Sequence, residues 1–401
     1  MWYNRVSLPQ NENAETGHFK KRSAPFGEHS GAREPTSSYL IGSFSFRCSG
    51  ISANFRIPSP DPDDTTRNLQ PLFLFDKTMQ AKPLKDAPVS LLAEGPLWMP
   101  EEQRLYWLDI EGCRLFRAKV ASNDARGDCC EEVQAFALDN QVGCIAPCTQ
   151  GRFLIAGQDG VFRVELIPSR EPGKDGRVNK IEKMVHPEES RSDNRYNDGK
   201  CSPEGRFWFG SLNKEKRPNR ASLYKMDRDS SGHPAVQTML SGATNSNGLA
   251  WAPDGRTFYW IDTPTRRVDA FDYDPANGFL SNRRTVVTFP PEREDRVVGR
   301  PDGMCIDREG YLWIAHWCGG CVTRWNPARG ELQAVISLPV RRVTSVTFGG
   351  PDLNRLYITT ARFGMSESEL QDEPLAGRVF VAETGIAGMP ADSWKEEPVL
   401  V

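Results

Sequence analysis

The sequence contains no run of about 18 apolar residues, so no segment is expected to cross a membrane as a helix. Its start, Met1-Trp-Tyr-Asn-Arg-Val6, lacks the apolar stretch of a secretory signal. Surplus charge is missing too: 50 basic residues face 53 acidic ones, a formal net charge of −3. That balance supplies no basic surface for nucleic acid or for an anionic membrane, and a small neutral or anionic ligand fits better. Histidines number only five. The ten cysteines show neither paired Cys/His zinc spacing nor a compact secreted framework, so they read as reduced thiols of a cytoplasmic protein. Cys318-Gly-Gly-Cys321, beside His316, is the one local pair, and it reads as two thiols flanking a hairpin turn.

Long apolar stripes with helical period are also lacking from residue 87 onward, which excludes a parallel βαβ fold. What stands there instead is a repeat. Six segments pair a turn with an aromatic, β-prone strand: Arg104-Leu-Tyr-Trp-Leu-Asp109, Arg152-Phe-Leu-Ile-Ala156, Arg206-Phe-Trp-Phe-Gly210, Arg256-Thr-Phe-Tyr-Trp-Ile-Asp262, Tyr311-Leu-Trp-Ile-Ala315 and Arg355-Leu-Tyr-Ile-Thr359. A second strand-like run follows each. The recurrence of roughly 45 to 55 residues suits four-stranded propeller blades. The fold expected is therefore all-β, a six-bladed β-propeller over residues 86–401. Residues 1–85, rich in Pro, Ser and Asn, are expected to form a disordered, dispensable extension, with Met79 as a candidate start.

Just before several repeated units lie short segments that would form innermost strands yet carry polar residues. These are Leu91-Leu-Ala-Glu94-Gly-Pro-Leu-Trp98, Ser192-Asp-Asn-Arg195-Tyr-Asn197-Asp198-Gly-Lys200, Ala243-Thr-Asn-Ser-Asn247-Gly-Leu-Ala-Trp251 and Gly299-Arg-Pro-Asp302-Gly-Met-Cys-Ile306. Singly, Asn-Gly and Asp-Gly are turn dipeptides. A propeller, however, would aim Glu94, Asn247 and Asp302 from separate blades at one channel mouth. Three oxygen donors, two of them anionic, suit a hard divalent cation such as Ca²⁺, Mg²⁺ or Mn²⁺. The absence of histidine from these segments argues against a site built for zinc or copper without excluding Zn²⁺. Asp198, next to Asn197, should point to the opposite face of an extended strand, away from substrate.

At these segments, with Asn194-Arg-Tyr-Asn-Asp-Gly-Lys200, Ser246-Asn247-Gly-Leu249 and Arg300-Pro-Asp302-Gly-Met-Cys-Ile-Asp307, the sequence resembles the senescence-marker-protein-30, gluconolactonase and luciferin-regenerating-enzyme family over about residues 88–390. The resemblance implies a six-bladed propeller and metal ligands at Glu94, Asn247 and Asp302. It implies substrate contacts from Arg195, Asn197 and, by ungapped spacing, Glu215. Gly95, Cys201-Ser202 and Asn213-Lys214 depart from the common family pattern without removing a metal ligand. The activity implied is opening of the ring ester of an aldonic-acid lactone, aided by one divalent cation, Ca²⁺ foremost, with Zn²⁺, Mg²⁺ or Mn²⁺ as alternatives. Asp302 is the candidate general base if one of its oxygens stays free of the metal; a metal-bound hydroxide is the other candidate. A related metal-dependent esterase or phosphotriesterase, and a calcium-binding regulatory protein with little turnover, are the competing expectations.

Overall fold

The computed structural model describes residues 78–121, 128–171, 174–291 and 299–396. Most of the expected extension, with the disorder assigned to it, lies outside the described residues. Its last part does not: Thr78–Gln80 runs parallel to Glu331–Ser337, and Lys82–Pro83 pairs antiparallel with Phe380–Glu383. Strand pairing therefore begins upstream of residue 86. Among the described residues the only α-helix is Glu367–Asp372, closed by a capping box between Ser366 and Glu369. No helix there is long and apolar enough to cross a membrane.

The chain is an all-β propeller, and the expectation of six blades is corrected. The described strands hydrogen-bond into five sheets: four are blade-sized, with four or five strands each, and one has eight. The eight-stranded sheet unites the first two repeat units. Their outer strands, Cys129–Ala137 and Gly176–Val185, meet in parallel register through Phe136↔Gly176 and Ala137↔Arg177. An edge strand offers a row of unpaired N–H and C=O groups, and here one edge satisfies part of the other.

Sequence and burial agree on why the inner layers form. The second strands, such as Arg104–Asp109, Phe207–Asn213 and Leu312–Trp317, are buried on both faces because neighbouring sheets cover both. Trp107, Trp208 and Trp313 are fully buried there. Outer strands such as Pro234–Ala243 and Phe279–Thr288 are mostly exposed. The first strand of each repeat unit faces a shared centre. Ala93–Met99 neighbours Val142–Pro147, followed in order by Asn194–Cys201, Ser246–Trp251, Arg300–Ile306 and Val343–Gly349, which returns to Ala93–Met99.

Close approach of these inner strands depends on glycine at two places in particular. A Cβ on Gly248 would stand 2.7 Å from the Asp302 carbonyl oxygen, and one on Gly303 would stand 2.1 Å from Ser345 Oγ. Neither position has room for a side chain, so Asn-Gly and Asp-Gly serve here as packing pairs rather than as turns.

Candidate functional site

Every inner strand carries a register irregularity near its start. It falls between Glu94 and Leu97, Val142 and Cys144, Tyr196 and Gly199, Asn247 and Leu249, Pro301 and Met304, and Val343 and Ser345. In each case the inner strand spends one residue more than its partner, as a β-bulge requires, and bulges re-aim side chains. The polar residues singled out in the sequence sit at or beside these bulges.

Two aspartates fix how the chain enters such strands. Asp109 accepts hydrogen bonds from the Leu91 and Leu92 amides, both at 3.0 Å, and so holds the segment leading to Glu94. Asp262 does the same for Asn247, accepting from the Asn245 amide at 2.8 Å and the Thr244 amide at 3.2 Å. Each lies at the end of the second strand of its own unit, which explains why both repeats end on aspartate.

Glu94, Arg195, Asn197, Asp198, Asn247 and Asp302 are all buried. Asn247 donates through Nδ2 to Asp302 Oδ1 and to Thr263 Oγ1 at 3.0 Å, which ties two neighbouring inner strands together. Arg195 Nη1 donates to Asn197 Oδ1 at 2.8 Å and to the Tyr196 carbonyl at 3.0 Å. Asn197 Nδ2 donates in turn to the Ser246 carbonyl at 2.9 Å. Glu94 accepts from the Gly95 amide at 3.0 Å.

The electrostatics show which groups share the site. Burial, then the charges of Asp198 and Asp302, push the Glu94 carboxyl well above its ordinary range, against the Gly95 amide and Arg195. Asp302 is pushed up likewise by burial and by Asp198, against the Asn247 hydrogen bond and Arg195. Burial raises Asp198 to about 6, with Lys200 and Arg195 opposing. Three buried acids thus sit close enough to feel one another, and the buried Arg195 guanidinium offsets only part of the cost of their burial.

The structure brings Glu94, Asn247 and Asp302 to one place, with Arg195 and Asn197 beside them. Strict strand alternation turns Asp198 away from Asn197; the bulge between Tyr196 and Gly199 adds a residue there, both side chains are buried, and only Asp198 lines the cavity beyond the site. The Asn-Asp-Gly run was the available signal, because a glycine after two polar residues is a bulge signature. Glu215 stands apart: it is exposed, lies two residues past the end of Phe207–Asn213 and pairs with Arg217. Cys318 and Cys321 flank the turn between Leu312–Trp317 and Cys321–Asn326.

Among the described residues no group of three His, Cys, Asp or Glu side chains is arranged to hold a metal. The expected set is of another kind, two carboxylates and one amide. Its chemistry fits a hard dication: all donors are oxygens, and burial together with neighbouring acids raises the two carboxyls.

Comparison with known proteins agrees with this geometry. Residues 92–362 match the model of the SMP-30/gluconolactonase/LRE-like region. Regucalcin of Danio rerio is 35% identical over 306 residues, covering 76% of this chain and 94% of that protein. A Bacillus subtilis (strain 168) protein provisionally named sugar lactone lactonase YvrE is 34% identical over 301 residues, 75% of this chain and 93% of its own. Among solved structures, a luciferin-regenerating enzyme superposes with a TM-score of 0.67 at 30% identity, over 79% of this chain and 99% of that one. The extent of the match, and its agreement with the strands that carry Glu94, Asn247 and Asp302, place this chain in the SMP-30/gluconolactonase/LRE-like family.

Proposed function

We propose that this protein is a divalent-cation-dependent hydrolase that opens the ring ester of sugar lactones. The observation that carries the reading is the pair of buried carboxylates, Glu94 and Asp302, meeting the Asn247 amide from three separate inner strands with few hydrogen bonds of their own. The provisional lactonase name of the Bacillus subtilis relative supports the substrate class.

Glu94, Asn247 and Asp302 would hold the cation. When bound, it polarises the lactone carbonyl and stabilises the negative charge that develops on oxygen. Asp302 takes the proton of the attacking water on the carboxylate oxygen that the cation leaves free. Arg195 and Asn197, preset by their mutual bond and by Ser246, receive the sugar hydroxyls, so little ordering is left for the bound state. Glu215, on its exposed loop, adds a contact at the rim.

The test uses the full chain, stripped with chelator and reloaded in turn with Ca²⁺, Mg²⁺, Mn²⁺ or Zn²⁺. Five- and six-carbon aldonolactones are assayed beside aryl esters and a phosphotriester. Cation-dependent hydrolysis of aldonolactones above the other classes is expected. Faster turnover of esters or phosphotriesters would move the assignment to that chemistry. Tight calcium binding with negligible turnover of every substrate would move it to a regulatory role.

A further inference from the structure

Beyond the carboxylates, the central channel opens into a cavity of about 380 Å³ that the reaction above does not use. Glu94, Arg195, Asn197, Asn247 and Asp302 do not line it. Its walls come from later positions of the same inner strands: Leu97, Ile145, Lys200, Ala250, Ile306 and Thr347 among them. From Glu94 to Leu97, or from Asn247 to Ala250, is three residues, about 10 Å of extended chain. The cavity therefore begins at Gly95 and Asp198, directly after Glu94 and Asn197, and extends along the channel away from the carboxylates.

The chamber has a floor. The segment from Gly388 to Lys395 crosses the far side of the inner ring: Gly388 bridges Asp307, the Trp394 amide donates to the Pro147 carbonyl at 2.8 Å, and the Lys395 amide donates to that of Gly205 at 3.2 Å. Met389, Pro390, Ala391 and Asp392 of this strap face the cavity. The walls are mainly apolar, which water fills poorly, and a volume of this order with few polar groups is the usual make-up of a small-molecule site.

At the end nearest the carboxylates the chamber is lined by Asp198 and Lys200. Lys200 Nζ donates to the Met304 carbonyl, which leaves it further N–H groups. Asp198 and Lys200 attract one another, and burial depresses the Lys200 ammonium below its ordinary value. A head group placed there meets a donor and an acceptor together. A carboxylate gains from Lys200 what it loses to Asp198, and an ammonium the reverse, so neither charge recovers its cost of burial, whereas a hydroxyl accepts from one and donates to the other.

We propose that this chamber is a second ligand site, taking a compact neutral molecule with an apolar body and a single hydroxyl anchored between Lys200 and Asp198.

The probe is cyclohexylmethanol, with methylcyclohexane, cyclohexanecarboxylate and cyclohexylmethylammonium as matched heads, titrated against the full chain by ligand-observed NMR. Saturable binding of the alcohol is expected, about tenfold tighter than either charged analogue. Thr347→Trp, which fills the chamber, should abolish binding while lactone hydrolysis persists. If that variant does not fold, Thr347→Leu decides the question through an at least threefold weakening. Lys200→Met should erase the preference for alcohol over hydrocarbon, and Asp302→Ala should leave alcohol binding intact. The proposal is overturned by an absence of saturable alcohol binding, by binding that a folded Thr347 variant does not weaken, or by binding lost in Asp302→Ala.

Discussion

Two sets of buried acids in this protein are equally hidden from water and differently furnished. Asp307 accepts four hydrogen bonds: its Oδ1 takes the Glu309 and Tyr311 amides, both at 3.0 Å, and its Oδ2 takes Trp313 Nε1 and Arg324 Nε, both at 2.8 Å. Glu188 is similarly supplied by Asn194, Ser211 and Tyr224 at 2.8 to 2.9 Å. Among the described residues Glu94 accepts only from its neighbouring amide, and Asp302 only from Asn247. Burying a charge is costly unless hydrogen bonds or a counter-charge compensate. The first pair is compensated by the protein itself and organises its sheets. The second is left for something else to compensate, which is the physical mark of a binding site.

The strongest way to break this contrast is to delete the site acids. Glu94→Ala and Asp302→Ala should each lower lactone hydrolysis by on the order of 10³-fold or more, since cation binding and charge stabilisation fail together. Their β-rich circular dichroism should persist, and their cation-free melting temperature should not fall below that of the native chain. Added Ca²⁺ should raise the native melting temperature but not theirs. Unfolding of both variants, or full activity in either, removes the assignment.

Deleting a structural acid should do the reverse. Asp307→Ala removes the buried partner of Arg324 and leaves it only the exposed Glu309, so a loss of about 3 kcal/mol in urea unfolding is expected, with lactonase activity per folded molecule retained. If Asp307→Ala lost activity but no stability, the division between the two kinds of acid would be wrong.

A third buried group sharpens the comparison through pH. His316 is buried, with its Nε2 on Thr323 Oγ1 at 2.7 Å and its Nδ1 without a partner. Burial, with Arg266 adding, pushes the imidazole down from 6.5 to about 3. Between those values the unfolded chain binds a proton that the folded chain refuses. The stability that His316 contributes is therefore complete above about pH 6.5 and lost as pH falls toward 3, at up to about 1.4 kcal/mol per pH unit. His316→Gln should flatten that part of the curve of melting temperature against pH. An unchanged slope would show that the imidazole accepts its proton in the folded protein.

These contrasts also show what a sequence can disclose. Glu94, Asn247 and Asp302 were legible because each interrupts an apolar strand at the same place in a repeat. The joining of the first two units was not, because the pairing of Phe136 with Gly176 depends on how two exposed edges meet in space, and neither edge has a distinctive composition. Lys82–Pro83 was read as extension for a similar reason: two residues carry no periodicity, and only the free edge of Phe380–Glu383 makes them a strand. The bulge at Asp198 was not legible either, because alternation counts residues and a bulge inserts one.

The smallest effect is expected at Glu215, whose assignment comes from spacing in a loop. Its carboxylate is exposed and pairs with Arg217, so whatever it contributes is a solvent-screened contact at the rim. Glu215→Gln should raise KM by a few-fold at most, the equivalent of about 1 kcal/mol for one exposed hydrogen bond, and leave kcat unchanged. Arg195→Met should by contrast lower kcat/KM by at least a hundredfold, because it removes a buried donor whose position is already set by Asn197. A large fall in kcat for Glu215→Gln would mean that its loop closes over the substrate and carries the carboxylate inward. The rim would then belong to the same class of uncompensated acids as Glu94 and Asp302.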